Sequence, residues 1–249
     1  MTNLIKTRAL IINAIKWKDS SRIVTLFTEN RGKIKVIAHG AAREKSPFRG
    51  KLETLNLVDS ILSFRESRSL QVMTELTVLN DFRILKSDFS KMACAFAVIE
   101  VIDHVFHEEE TDSVFFDFLA VLLGNLEETR QPKWIWWFFL LKIASYLGFK
   151  PDLDACAFCG QKPVGKVYFA IGKGVVYCSE CLSGEEPVRM LHPEEYGTLF
   201  RIQHSHHKKI GLEATGEEPG KYDLTGLLID YLNTHLGYDL HLKSLDLMG

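Results

Sequence analysis

Ser21-Arg22-Ile23-Val24-Thr25-Leu26-Phe27-Thr28, then Glu29-Asn30-Arg31-Gly32, then Lys33-Ile34-Lys35-Val36-Ile37: a run rich in β-branched and aromatic residues, a turn-forming break, and a second such run. This pattern predicts a β-hairpin. In the second run lysines alternate with aliphatics. A period of two therefore turns Ile34 and Val36 into a core and sets Lys33 and Lys35 on the solvent face.

Working outward, Thr7 to Trp17 reads as a strand before the hairpin. Leu55 to Phe64 and Leu70 to Leu79 read as two more, after a Gly/Pro/basic loop from Gly40 to Gly50. About five strands in a segment of this size suit a small closed barrel, of which the five-stranded oligonucleotide-binding barrel (OB fold) is the common form.

After Asp81 the apolar period lengthens to that of a helix. Met92, Ala95, Phe96, Ile99, Ile102 and Phe106 make one stripe, and Phe115, Phe118, Leu119, Leu122 and Leu126 a second. A third helix starts near Pro132 and is closed by Gly148 and Pro151; its run Trp134 to Phe139 has no polar side, so its neighbours must bury it. Further helices are expected from Pro193 to Gln203 and Asp223 to His235, with a loop from Gly211 to Gly220 between them. The fold class expected is thus α+β: residues 1–80 as an OB-fold domain, whose nucleic-acid-binding character and partner are read below from its charge, and residues 81–249 as an all-α helical domain interrupted at about 153–185 by an insertion, read below from its cysteines as a zinc ribbon.

The 249 residues are 46% apolar and 25% charged, an ordinary globular balance that excludes a disordered chain, a collagen-like fibre or a coiled coil. The longest apolar run, Trp134 to Leu141, is far short of the ~18 residues a membrane span needs. No leader is evident at Met1-Thr2-Asn3-Leu4-Ile5-Lys6, so a cytoplasmic protein is expected. The net charge of −2 hides an asymmetry: residues 1–80 hold 14 Lys/Arg against 7 Asp/Glu, and the remainder 16 against 25. Between Arg31 and Lys51 stand seven basic residues and Glu44 alone. That split points to a polyanion-binding module joined to an acidic body, against the plainer reading of a solvated face.

Cys156-Ala157-Phe158-Cys159 and Cys178-Ser179-Glu180-Cys181 are separated by 18 residues. C-x2-C-x18-C-x2-C is zinc-ribbon spacing, each turn offering two thiolates along one edge of a tetrahedron. Val167 to Ala170 and Gly174 to Tyr177 can form the hairpin that joins the pairs. Two disulfides, an iron–sulfur cluster and redox-active dithiols are the alternatives, the first disfavoured in a reducing compartment. Four thiolates fill the tetrahedron, so one structural zinc is expected, with no position open for substrate. Cys94, inside a helical run, reads as a small buried hydrophobe.

No enzyme signature stands out. Gly172-Lys173-Gly174 lacks the rest of a phosphate-binding loop. His107-Glu108-Glu109 matches one half of a deaminase motif, but no proline precedes either cysteine pair. His204, His206 and His207 beside Lys208 and Lys209 read as an exposed polar helix end. A non-enzymatic protein is expected.

A basic barrel, a helical body and a late zinc ribbon, with Leu26-Phe27-Thr28 before Gly32, Gly40-Ala41-Ala42-Arg43 before Lys45-Ser46, Leu147-Gly148-Phe149-Lys150-Pro151-Asp152-Leu153 leading into Cys156, and Tyr231-Leu232 before His235-Leu236-Gly237, resemble the bacterial RecO family. The resemblance spans essentially the whole chain. It implies a mediator of DNA repair and recombination that binds single- and double-stranded DNA and anneals complementary strands. It further implies help in loading the recombinase onto DNA covered by single-strand-binding protein, with RecR and the acidic C-terminal tail of single-strand-binding protein as partners, and association with the nucleoid when DNA-bound.

The residues expected on DNA are Arg31, Lys33, Lys35, Arg43, Lys45, Arg49 and Lys51, with Arg8 and Arg22 beside them, since backbone contact needs cations spread along a groove. Phe48 either stacks on a base or anchors the loop on the barrel rim. An RNA- or ribosome-associated zinc-ribbon module, or a structural adaptor, would use the same parts.

Overall fold

A computed structural model describes residues 3–107, 112–182, 187–213 and 222–247. The chain divides into two packing units, 1–127 with 242–249, and 128–241. The change from strand to helix near residue 81 falls inside the first of these.

The first unit begins with β1 (Asn3–Trp17), β2 (Ser21–Thr28), β3 (Gly32–Ala38), β4 (Leu57–Phe64) and β5 (Leu70–Asn80). They close into a barrel in the order β1-β2-β3-β5-β4. Every pairing is antiparallel except β3 with β5, joined from Lys35↔Leu70 to Ile37↔Val72. The inward positions follow the expected alternation: Val24, Leu26, Ile34 and Val36 face Ala9, Ile11, Val58, Leu62 and Met73 in one core.

Two strand ends differ from expectation. β1 starts at Asn3 instead of Thr7, because Asn3 to Arg8 pair with β4 from Phe64 to Asp59 while Leu4 and Lys6 stay exposed, so no buried residue announces the strand. β4 starts at Leu57, because Leu55 takes a positive φ of 74° and its N–H donates to the Ile11 carbonyl at the β1 bulge (2.8 Å).

α1 (Arg83–Ser87), α2 (Phe89–Val105) and α3 (Ser113–Glu128) complete this unit with a short 3-10 turn, Lys243–Leu247. Asp88 caps α2 by accepting from the Lys91 N–H. In the stripes, Ala95, Ile99, Ile102, Phe106, Phe115, Leu119, Leu122 and Leu126 are buried, whereas Met92, Phe96 and Phe118 are half-buried. Phe27, on the outer face of β2, packs 5.1 Å from Phe106, 6.3 Å from Phe115 and 6.4 Å from Phe116. One part of the barrel's outside is therefore a second core under the helices. The terminal turn returns to α2, where Ser244 donates from N and Oγ to Glu100 Oε2 (3.0 and 2.9 Å).

The second unit holds α4 (Pro132–Tyr146), α5 (Pro193–His204), α6 (Ile210–Glu213) and α7 (Thr225–Leu236), with β6 (Asp152–Cys156), β7 (Val167–Ala170), β8 (Val175–Cys178) and β9 (Arg189–Leu191) in the order β6-β8-β7-β9. Residues 134–141 of α4 are buried on every side, as an all-apolar helix requires. The loop expected from Gly211 opens instead as the end of α6, and from residue 214 to 220 it lies outside the described residues. Buried side chains fix the sheet to the helices: Tyr196 OH donates to the Leu153 carbonyl, Gln203 Nε2 to Pro151 and Tyr231 OH to Phe149. Gly174, at φ +66°, turns β7 into β8 where a Cβ would stand 2.5 Å from Tyr231 OH, so both its conformation and its bareness are needed. No helix among the described residues is long and apolar enough to cross a membrane.

Candidate nucleic-acid interface and metal centre

The β7–β8 hairpin, in register from Val167↔Cys178 to Ala170↔Val175, carries Cys178 to the end of β6, where Cys156 stands. The first turn is closed by Gly160 N–H to the Cys156 carbonyl and Cys156 N–H to the Gln161 carbonyl (both 2.8 Å), the second by Cys181 N–H to Cys178 (3.1 Å). All four sulfurs, of Cys156, Cys159, Cys178 and Cys181, lie within 4.8 Å of one another, and none is in a disulfide.

Burial pushes the Cys156 thiol up, but N–H donors from Cys159, Cys178 and Phe158 outweigh it and bring it down to about 6. Cys181 is pushed up to about 12, first by its hydrogen bond with Cys178, then by burial and by Cys159 and Cys156. Sulfurs this close cannot all ionise unless a cation sits among them. The donor set fits a soft tetrahedral ion: metal–sulfur bonds of about 2.3 Å put sulfurs about 3.8 Å apart. Four protein donors leave no place for a reacting ligand.

The basic residues do not form one patch. Arg31 lies in the turn before β3, with its guanidinium carbon 4.2 Å from the centre of the Phe64 ring. Lys35 is exposed midway along β3. Arg43, Lys45 and Arg49 are exposed in the loop that follows β3, at the opposite end of the barrel. That loop is fastened to the β1–β2 turn by Ala42 N–H to the Ser20 carbonyl (2.8 Å). Arg22 and Arg49 line a cleft of about 310 Å³ with Ala41, Phe48 and Leu52.

Several expected residues are engaged within the protein: Arg22 donates to the Leu52 carbonyl (3.4 Å) and Arg49 to the Glu44 carbonyl (3.3 Å), and four more are held as follows. Arg8 grips Glu29 with Nε and Nη2 (3.0 and 2.7 Å) and gives Nη2 to Asp117 as well (2.7 Å). Those partners raise its pKa further. Lys33 is on the outer face, as its period demands, but donates to the carbonyl and carboxylate of Asp103, and only 16% of its side chain is exposed. Lys51 reaches the Leu76 carbonyl at 3.5 Å. Phe48 is 6% exposed and packs with Ala41 and Leu52 in the barrel core, so it presents no ring face to a base; it anchors the loop.

Sequence reasoning passed over residues that the fold adds. Lys16, Trp17 and Lys18 form the tip of the β1–β2 hairpin beside the basic loop, with Trp17 43% exposed. Arg65 and Arg68 sit in the β4–β5 turn near Arg31. An aromatic flanked by two lysines at a strand end was the signal available for the first group; nothing local marked the second.

The chain matches the family model described as recombination protein O N terminal over residues 1–82 and recombination protein O C terminal over 86–246. It is similar to proteins named DNA repair protein RecO. That of Pelodictyon phaeoclathratiforme is 26% identical over 99% of this chain and 98% of its own length. That of Anaeromyxobacter dehalogenans is 29% identical over 94% and 92%, and that of Chlorobium limicola 33% identical over 64% and 61%.

Proposed function

The chain belongs to the RecO family, and from that premise we propose that it is a DNA-binding mediator of repair and recombination that anneals complementary strands and assists recombinase loading onto single-stranded DNA covered by single-strand-binding protein. The observation that carries this reading is the cationic end of the barrel, where Lys16, Lys18, Arg22, Arg43, Lys45 and Arg49 stand on two segments fastened by the Ala42–Ser20 hydrogen bond. Cations spread over two braced loops suit phosphates at varied spacing, which is what binding without sequence preference requires. A protein that neutralises two strands lowers the repulsion between them, and annealing then proceeds downhill with no nucleotide hydrolysis.

In this reading residues 1–80 are an OB-fold DNA-binding domain and 81–249 a helical domain with a zinc ribbon at about 153–185. Cys156, Cys159, Cys178 and Cys181 hold one zinc ion, which supplies a crosslink between two turns and no chemistry. RecR and the tail of single-strand-binding protein are the protein partners. The protein is not an enzyme, and it works in the cytoplasm, on the nucleoid when DNA-bound.

The test is annealing of complementary labelled strands by purified protein without ATP, alongside competition between matched single-stranded DNA and RNA at two salt concentrations. Annealing without nucleotide and a DNA preference are expected. A strict ATP requirement overturns the mediator reading, and a clear RNA preference replaces it with an RNA-associated module.

A further inference from the structure

At the barrel end away from the basic loop, Asn3, Arg31, Phe64, Arg65, Glu66 and Ser67 line a cleft of about 630 Å³. Two hairpin turns form it, and each is braced by a buried polar side chain. Gln71, 4% exposed, accepts from Arg65 N–H (2.8 Å) and donates to the carbonyls of Arg65 and Arg68 (3.0 and 2.5 Å). Thr28 Oγ1, also buried, accepts from Arg31 N–H (3.1 Å) and donates to the Gly32 carbonyl (2.9 Å). These bonds fix the backbone of the two turns that carry Arg31 and Arg65.

The second feature is the Arg31 guanidinium on the face of Phe64. With its guanidinium carbon over the ring, 4.2 Å from the centre, Arg31 is held at the cleft wall by a cation–π contact, where a cation can meet the π face of a base. Around it stand a guanidinium (Arg65), a carboxylate (Glu66), an amide (Asn3) and a hydroxyl (Ser67). That mixture is wrong for a bare polyanion, which Glu66 would repel. It is right for a nucleotide, whose phosphate needs a cation and whose base edge needs both donors and acceptors.

Resting on the DNA-binding reading above, we propose that this cleft seats one unpaired nucleotide of a single strand, with its base against the Arg31 guanidinium backed by Phe64. β3's seven residues rise about 23 Å between this cleft and the basic loop, so the two ends are separate sites with separate tasks. The loop end holds backbone of either form of DNA. The cleft takes a base that only a single strand can turn out, and so adds affinity for unpaired DNA alone.

The test uses the full chain, oligothymidylate, an abasic strand of equal length with the same phosphates and no bases, and a duplex. Wild type is expected to bind oligothymidylate about tenfold more tightly than the abasic strand. Arg31→Lys, which keeps the charge and loses the plane, is expected to erase that difference while duplex affinity stays within twofold; Phe64→Leu, which keeps an apolar filler, should do the same. Equal wild-type affinity for the thymidylate and abasic strands, or an Arg31→Lys variant that keeps the difference, overturns the cleft assignment and leaves the DNA reading standing. Failure to bind any of the three nucleic acids overturns both.

Discussion

Lys33 Nζ stands 2.6 Å from the carbonyl oxygen and 3.0 Å from the carboxylate of Asp103, at the end of α2. Lys35, two residues on along the same face of β3, is exposed. The two lysines are equivalent in the strand's alternation and unlike in the folded protein. On the DNA-binding reading, exposed Lys35 reaches a phosphate, so Lys35→Ala should lower the slope of log K against log salt for single-stranded DNA by about 0.7, the value for one phosphate. Lys33→Ala should leave the slope alone and destabilise the fold by about 1 kcal/mol, since it removes a charge-assisted hydrogen bond that is partly screened by solvent. Equal slope changes in the two variants would put Lys33 on the DNA after all.

Phe48 gives an opposite pair of outcomes. Its ring fills the barrel core between Ala41 and Leu52, so Phe48→Ala should cost about 3 kcal/mol, as large-to-small core changes do. Phe48→Leu should fold and bind oligothymidylate within twofold of wild type. Loss of affinity in a Phe48→Leu protein with normal melting would make the residue a base-stacking contact.

These two cases mark the boundary of what the sequence could tell. The β2–β3 hairpin, the helical stripes and the cysteine pairs are written in short-range periods and spacings, and they stand where those periods put them. Whether an outward side chain meets water or another element is decided by residues far along the chain. The Asp117 carboxylate that takes Arg8 is 109 positions away, and the Asp103 that covers Lys33 is 70. A loop phenylalanine between proline and arginine carries no local sign that it folds inward. The cleft under Arg31 likewise exists only because β4 and β5 return to the start of β1, bringing Phe64 opposite Asn3.

Arg8 and Glu29 predict a pH dependence. Hydrogen bonds from Arg8 hold the Glu29 carboxyl below its ordinary 4.5, against the opposing effect of burial. A carboxyl lowered on folding contributes stability that is fully present above its unfolded pKa and is lost as pH falls through the folded one. The melting temperature of wild type should thus exceed that of Glu29→Gln at neutral pH. The gap should begin to narrow as pH drops below about 4.5 and close at more acid pH. A gap that stays constant down the whole acid range would show that the charge on Glu29 contributes nothing.

The cysteine centre yields the prediction with the widest consequence for the second unit. Its sheet is small: β9 spans Arg189–Leu191, and β6 is tied to β8 by only two register pairs. On the proposed zinc reading the ion ties these short strands together, and metal affinity is then folding free energy. Protein purified without added metal should carry close to one zinc per chain, with no visible absorption of an iron–sulfur cluster. Cys156→Ser and Cys181→Ser should each lose the metal, and amide exchange should rise across 152–178. Exchange in β2 and β3, whose core is built without these residues, should hardly change. Tyr231 serves as the internal reporter: its hydroxyl closes on the Phe149 carbonyl at 2.6 Å, against the turn at Gly174. Its titration, pushed up to about 12 by burial, should fall toward the ordinary tyrosine value as the hairpin loosens. Full metal content in both serine variants would remove the four-sulfur assignment. Loss of metal with unchanged exchange and an unchanged Tyr231 titration would leave the ion bound but strip it of its structural role.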